Sequence, residues 1–313
     1  MDIDPETETV VTLGSKEGLA NLAAAITSPG DIFLVPNPSY PIHAFGFIIA
    51  GAALRHIPIG HDDQGTFNTE SFMEQLHRAV KHSVPKPSAV VLNFPANPTA
   101  LVVDLAFYQE VVDFCRKHEI YVLSDIAYSE IYFDGNPPPS ILQCKGAKHI
   151  AVEFYSLSKT YSMAGWRIGF ATGNKKLINA LTRIKSYLDY GAFTPVQVAA
   201  TAALNGPQDC VEEFRNLYRE RRDIFIEGAQ SAGWEIPSPA ATMFAWAPIP
   251  DAFHNVGSLE FSKQLLEHAG VAVAAGVGYG EEGEGFVRIA MVENEQRIRQ
   301  AARNVKRFLA EHG

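Results

Sequence analysis

The chain has 313 residues, 47% of them hydrophobic and 19% charged, with 24 Gly and 19 Pro. That profile excludes a disordered, collagenous or coiled-coil chain and leaves room for about two domains around real cores. Twenty-six Lys and Arg against 35 Asp and Glu give a net charge of −9, which argues against a general affinity for nucleic acid or an anionic membrane.

The opening residues MDIDPETETV are acidic and have neither the basic nor the apolar region of a signal peptide. From residue 10 to 205 short apolar runs alternate with amphipathic stretches. The runs at 31–35, 53–57, 88–93, 120–124, 150–155 and 168–172 read as strands covered on both faces. Helices are expected at 16–28, 42–51, 69–82, 104–118 and 175–190. This rhythm predicts an α/β fold with a mostly parallel sheet flanked by helices. The longest apolar run, 45–54, is broken by Gly46 and Gly51 and falls well short of the roughly 18 residues of a membrane span. A charge-rich helix is expected from 207 to 232. Beyond Gly233 the pattern changes to strands at 242–247, 271–274 and 286–291 and helices at 258–268 and 294–311, a smaller α+β unit. Cys115, Cys144 and Cys210 are widely spaced and odd in number, which suggests neither a disulfide framework nor a zinc site and fits a cytoplasmic location. The ten His residues show no H-E-x-x-H spacing, so no metal is expected and most are read as surface residues.

The most informative segment follows the strand that ends at Tyr155: Ser156-Leu157-Ser158-Lys159, a small-residue loop, then Arg167-Ile168-Gly169. Two hydroxyls and two cations after a buried strand suit a phosphate with one amine left over. Any one of these residues alone reads as a surface loop; the combination changes the odds. Gly14-Ser15-Lys16 opens a helix, whose first N–H groups suit an anion, although a Ser there is more often a simple cap. Arg288 stands between Val287 and Ile289 on a strand and so points away from them, toward a polar face. Two decoys are discounted. Residues 278–283 satisfy G-x-G-x-x-G, but no helix follows and Glu281 and Glu282 would repel a pyrophosphate. Residues 156–159 satisfy S-x-x-K without the S-D-N and K-T-G partners of the serine acyl-enzymes.

In motif order the chain closely resembles the pyridoxal-phosphate aminotransferases of fold type I. Gly14–Gly18, Asn37-Pro38-Ser39-Tyr40-Pro41, Asn97-Pro98-Thr99, Ser124-Asp125-Ile126-Ala127-Tyr128, the Lys159 segment, Gly276–Gly280 and Phe286–Ile289 match in order along nearly the whole chain. The resemblance implies pyridoxal 5'-phosphate as cofactor. Lys159 would hold it as an aldimine and shuttle a proton, with Gly14, Ser15, Lys16, Ser156, Ser158 and Arg167 around its phosphate. Tyr40 would cover the ring, Asp125 pair with the pyridine nitrogen, and Asn97 and Tyr128 meet O3′. Arg288, with Asn97, would bind the substrate carboxylate by a forked pair. It implies ping-pong transfer between an amino acid and a 2-oxo acid in a homodimer, with 187–194 approaching the neighbouring subunit.

The details at 39–43, 14–17 and 292–295 look most like the bacterial glutamate–pyruvate (alanine) branch, close to the LL-diaminopimelate enzymes. A different amino acid specificity, a β-lyase or decarboxylase of the same fold, and an inactive cofactor-binding remnant are the alternatives. The expected organisation is a large cofactor domain at 1–205, a bridging helix at 206–232 and a small domain at 233–313. The family carries a further segment ahead of the phosphate turn, where this chain has thirteen residues, so the small domain is expected to lack its N-terminal half. Ala100 and Ala275 stand where the family usually has Gly and Pro.

Overall fold

The computed structural model describes residues 2–59 and 67–312. In chain order the first elements are β1 (Thr9–Thr12), α1 (Ser15–Ile26), β2 (Ile32–Asn37), α2 (Pro41–Ile49), β3 (Ala53–Pro58) and α3 (Thr69–Lys81). Then come β4 (Ala89–Asn93), α4 (Leu105–His118), β5 (Tyr121–Asp125), β6 (Ala151–Ser156), the single turn α5 (Leu157–Thr160), β7 (Gly169–Gly173) and α6 (Lys175–Leu188). The seven strands form one sheet in the order β1-β7-β6-β5-β4-β2-β3. From β3 to β6 every pairing is parallel; β7 and β1 close the other edge antiparallel.

Successive residues of a strand face opposite sides, and the sheet is covered on both. Phe33, Val35, Val91, Leu123 and Phe154 pack with Leu19, Leu22, Phe47 and Leu181 of α1, α2 and α6. Leu34, Val90, Leu92 and Val122 pack with Phe72, Leu76, Phe107 and Val111 of α3 and α4. That two-sided burial is why these runs read as continuous apolar segments. Asn68, Asp104 and Asn174 each accept a backbone N–H at the head of α3, α4 and α6, worth about 1 kcal/mol apiece by analogy with other caps.

Two elements lie outside the sequence expectations. β1 is four residues, mostly half-buried, with no apolar run to announce it. α7 (Thr194–Asn205) is rich in Ala and Thr and has no strong apolar stripe. It starts with Pro195 in its first turn, where the missing N–H costs nothing.

The 23-residue α8 (Asp209–Ser231) follows. Its arginines grip the loop beyond β5 and the start of the last helix. Arg215 pairs with Glu130 at 3.1 Å, Arg222 with Asp134 at 2.9 Å, and Arg221 with Glu295 at 3.1 Å. A second sheet, β8 (Phe244–Pro248), β9 (Ala274–Ala275) and β10 (Phe286–Ala290), is antiparallel in the order β8-β10-β9. With α9 (Gly257–Gln264), a wide turn at Leu265–Ala269 and α10 (Glu295–His312) it encloses a core around Trp234, Phe261, Val287, Ile289 and Phe308. The strand expected at 271–274 is present only as Ala274–Ala275.

One buried acid stands out in the large sheet. Glu153 lies in β6 opposite Ser124, and its carboxylate accepts bonds from the Ser140 hydroxyl at 2.9 Å and the Ile141 N–H at 3.1 Å. Burial nevertheless pushes its pKa up to about 7 from 4.5. The folded state therefore holds a proton that the unfolded chain releases, so this residue's contribution to stability falls as pH rises through that window and is lowest above it. Glu153→Gln is expected to raise the melting temperature more at pH 8 than at pH 5; an equal shift at both would contradict this.

Candidate active site

The carboxyl ends of β4, β5 and β6 meet the loops before α1, α2 and β7 and the faces of β8 and β10 in a cleft of about 540 Å3. Every residue singled out in the sequence lines it except Gly14, which sits directly behind Arg167.

At one end, α1 begins with no side-chain cap; Gly14 is the N-cap residue and Ser15 the first helical one. Gly14 has φ +84°, and a Cβ there would stand 2.5 Å from Nη2 of Arg167. Glycine is thus required both for the backbone and for the guanidinium's space. Arg167 donates to the Leu13 carbonyl at 2.9 Å, to the Ala164 carbonyl at 3.0 Å and to the Ser158 hydroxyl at 3.4 Å. Ser156 caps α5, its hydroxyl accepting the Ser158 N–H at 3.3 Å. Lys16, which the sequence leaves free to point into solvent, places Nζ 5.0 Å above the centre of the Tyr40 ring. N–H groups, hydroxyls and a guanidinium converge here with no carboxylate among them.

Lys159 rises from α5 into the middle of the cleft, with Nζ 5.9 Å from the centre of the Tyr128 ring. Among the described residues Asp125 is the one carboxylate on the wall, and Lys159 makes no ion pair. Burial holds the Lys159 pKa below the usual lysine value, and the charges of Arg288 and Arg167 push the same way. A lysine in that state is a nucleophile or a proton carrier.

Asp125 is the last residue of β5. One carboxylate oxygen accepts the Ala127 N–H at 3.1 Å; the other meets Nε2 of His43 at 3.0 Å. His43 is 1% exposed, the exception among the described histidines, most of which lie at the surface as expected. It sits in the first turn of α2, three residues after Tyr40, so one helix turn presents both side chains to the same region. Asn93 of β4, also unassigned from the sequence, donates to the Asp125 carbonyl at 2.8 Å and accepts the Asn97 N–H at 2.8 Å. The strand register fixes that bridge, since Asn93 and Asp125 are paired residues. Tyr128 packs edge-on against Phe244, and burial, then the Asp125 charge, raises its hydroxyl pKa.

Arg288 projects from β10 opposite to Val287 and Ile289, which are buried in the smaller core. Its Nη1 donates to Oδ1 of Asn97 at 2.8 Å, and its guanidinium lies 4.2 Å from the centre of the Phe244 ring and 5.0 Å from that of Tyr279. Nε is buried without a partner. The group is held by a neutral acceptor and two aromatic faces, so its charge stays uncancelled.

An α/β enzyme with a depressed lysine between two guanidiniums and one buried aspartate is equipped for anionic, carbonyl-bearing ligands. Residues 1–305 match the family model described as aminotransferase class I and II. The putative aminotransferase AatC of Rhizobium meliloti is 61% identical, over 98% of this chain and 74% of that protein. The glutamate-pyruvate aminotransferase AlaC of Escherichia coli is 50% identical, over 100% of this chain and 74% of that protein. Among solved structures, apo-BacF from Bacillus subtilis superimposes with a TM-score of 0.91 at 37% identity, covering 98% of this chain and 80% of that one. The chain belongs to the class I and II aminotransferase family. Enzymes of this family and fold depend generally on pyridoxal phosphate.

Removing the Arg288 charge is expected to raise the Lys159 pKa. Reductive methylation at about pH 8, read by mass spectrometry, should modify Lys159 ahead of ordinary exposed lysines. In Arg288→Leu that advantage should shrink; an unchanged rate would show that Arg288 has no influence on the amine.

Proposed function

We propose that this chain is a pyridoxal-phosphate-dependent aminotransferase of amino acids and 2-oxo acids, with glutamate and pyruvate as its favoured pair. The observation that carries the reading is the unpaired Lys159 amine, set between Arg167 and Arg288 and facing a single carboxylate, Asp125. The choice of substrate rests on the likeness to the glutamate-pyruvate enzyme, which is greater than the 43% identity to an LL-diaminopimelate aminotransferase from Moorella thermoacetica.

The residues present fit the cofactor. The uncapped start of α1 with Ser156, Ser158 and Arg167 is a donor set for a phosphate dianion. The Gly14 position leaves room for Arg167 to complete it. Tyr40 offers a ring face, and Asn97 and Tyr128 offer hydrogen bonds to a phenolic oxygen. Asp125, anchored by His43 and Ala127, keeps a proton on a pyridine nitrogen. When bound, pyridoxal phosphate supplies an electron sink for negative charge at the substrate Cα.

The chain's own residues do the rest. Arg288 takes the α-carboxylate, with its orientation set by Asn97, Phe244 and Tyr279. Lys159, whose pKa is held down by burial and by the charges of Arg288 and Arg167, would take the proton from Cα and deliver it to the carbonyl-derived carbon of the cofactor, and would move a proton the opposite way in the second half-reaction.

The active species is proposed to be a cytoplasmic homodimer. Among the described residues no helix is long and apolar enough to cross a membrane. Ile49 on α2 and Tyr190 and Phe193 after α6 are 84%, 91% and 74% exposed, large apolar side chains of the kind an interface covers. A second copy of the chain is the occupant that this reading assigns to it.

The native chain should take up pyridoxal phosphate and turn yellow, glutamate should bleach the colour, and pyruvate should restore it with alanine as product. Lys159→Ala should abolish turnover. Failure to bind the cofactor would overturn the reading; release of ammonia or carbon dioxide in place of an oxo acid would redirect it to a lyase or a decarboxylase. Ile49→Glu with Phe193→Glu should shift sedimentation from dimer to monomer, and an unchanged dimer would place the interface elsewhere.

A further inference from the structure

Outside the cleft wall lies a second charged group that the chemistry above does not use. Lys185, on the inner face of α6, is 3% exposed. Its Nζ lies 2.9 Å from Oε1 of Glu17 and 2.8 Å from Oδ2 of Asp189. Glu17 is the third residue of α1, and its side chain also accepts from the Asn21 amide. Burying a lysine is costly, and a buried ion pair seldom stabilises more than apolar residues of the same size would. Stability alone gives little reason for the pair.

What the pair holds in place is the backbone of one residue. The second Glu17 oxygen accepts the Leu13 N–H at 2.7 Å. The Leu13 carbonyl accepts Nη2 of Arg167 at 2.9 Å. Leu13 is the link between β1 and α1, immediately before Gly14. Both backbone polar groups of that residue, one in each of the peptides flanking its Cα, are therefore pinned, the N–H by Glu17 and the C=O by Arg167. A glutamate at the third helical position ordinarily reaches back to the N-cap N–H. Here it reaches one residue further, to the turn that aims the Arg167 guanidinium and the uncapped N–H groups of α1. Rotation of Glu17 off Leu13 would free the peptide and let both donors turn away. Lys185 blocks that rotation, because Glu17 would have to abandon a buried ammonium to make it.

We propose that Glu17 and Lys185 are positioning residues of the anion-binding end of the cleft: they act through the Leu13 peptide to hold Arg167 and the start of α1 in register for a phosphate. This rests on the reading of the cleft as a pyridoxal phosphate site. It assigns a specific consequence to the pair, selective loss of the phosphate contribution to binding, with the lysine chemistry and the ring contacts left intact.

The test compares pyridoxal phosphate with pyridoxal, which has the same aldehyde and ring and lacks the phosphate. Dissociation constants for both are measured from their visible absorption on the purified chain. The double variant Glu17→Leu with Lys185→Met removes the link and both of its charges together. The Asp189 carboxylate, 17% exposed, loses its partner in the same variant, so any general loosening is read from pyridoxal; pyridoxal phosphate is expected to weaken by about tenfold, the scale of one charge-assisted hydrogen bond, while pyridoxal changes little. Asp189→Asn, which leaves Glu17 and Lys185 in place but removes one anchor of the ammonium, should shift the ratio of the two constants in the same direction by less. It remains informative if the double variant does not fold. Equal weakening of both ligands, or an unchanged ratio, overturns the proposal and leaves the pair a structural feature. If the unmodified chain binds neither ligand, the cofactor reading itself fails, an outcome distinct from an unchanged ratio.

Discussion

Like charges crowded into one cavity repel, and the cleft is built around that repulsion. Lys16, Lys159, Arg167 and Arg288 share it with, among the described residues, a single carboxylate, Asp125. The two guanidiniums are not neutralised by acids. Arg167 is held by two backbone carbonyls and a hydroxyl, Arg288 by an amide oxygen and two aromatic rings. Neutral acceptors fix direction without cancelling charge, so the field survives for an anion to answer. Burial first, and the same field after it, disfavour a proton on Lys159. One arrangement thus serves both to bind anions and to free an amine, in a chain whose overall charge is −9.

The fold supplies the rigidity that such a cluster needs. Asn93, Asp125 and Ser156 end three adjacent parallel strands, and their side chains are spaced by the sheet itself. Ligands of open α/β sheets gather at this edge because the loops that follow the strands are free to vary over a fixed base. The antiparallel β7 brings Arg167 back toward the strand that carries Ser156, which a parallel return through a long crossover would not do so directly.

Most of this edge is legible in the sequence because its residues follow apolar runs and recur in a known order. The strands under double-sided burial are legible for the same reason. What the sequence hides is what depends on contacts between distant segments. His43 reads as one more histidine, and only the packing of α2 on the sheet brings it to Asp125. Glu17 and Lys185 are 168 residues apart, and each alone reads as a solvated charge on an amphipathic helix. Phe244 is one more apolar residue of a strand, and its meaning appears only once the Arg288 guanidinium lies 4.2 Å from its ring. β1 and α7 escape notice for a local reason: four half-buried residues show no alternation, and an Ala-rich helix shows no stripe.

The bond between Arg288 and Asn97 joins the smaller sheet to the larger one across the cleft. A carboxylate arriving at Arg288 meets a group already engaged with the opposite wall. On the proposed reading its affinity depends on how those two walls stand relative to each other, and α8 is tied to the flanks of both, where Arg222 grips Asp134 and Arg221 grips Glu295. If Arg288 holds the substrate as proposed, a change along α8 that moved one wall against the other would be felt at the carboxylate, without touching any residue of the cleft.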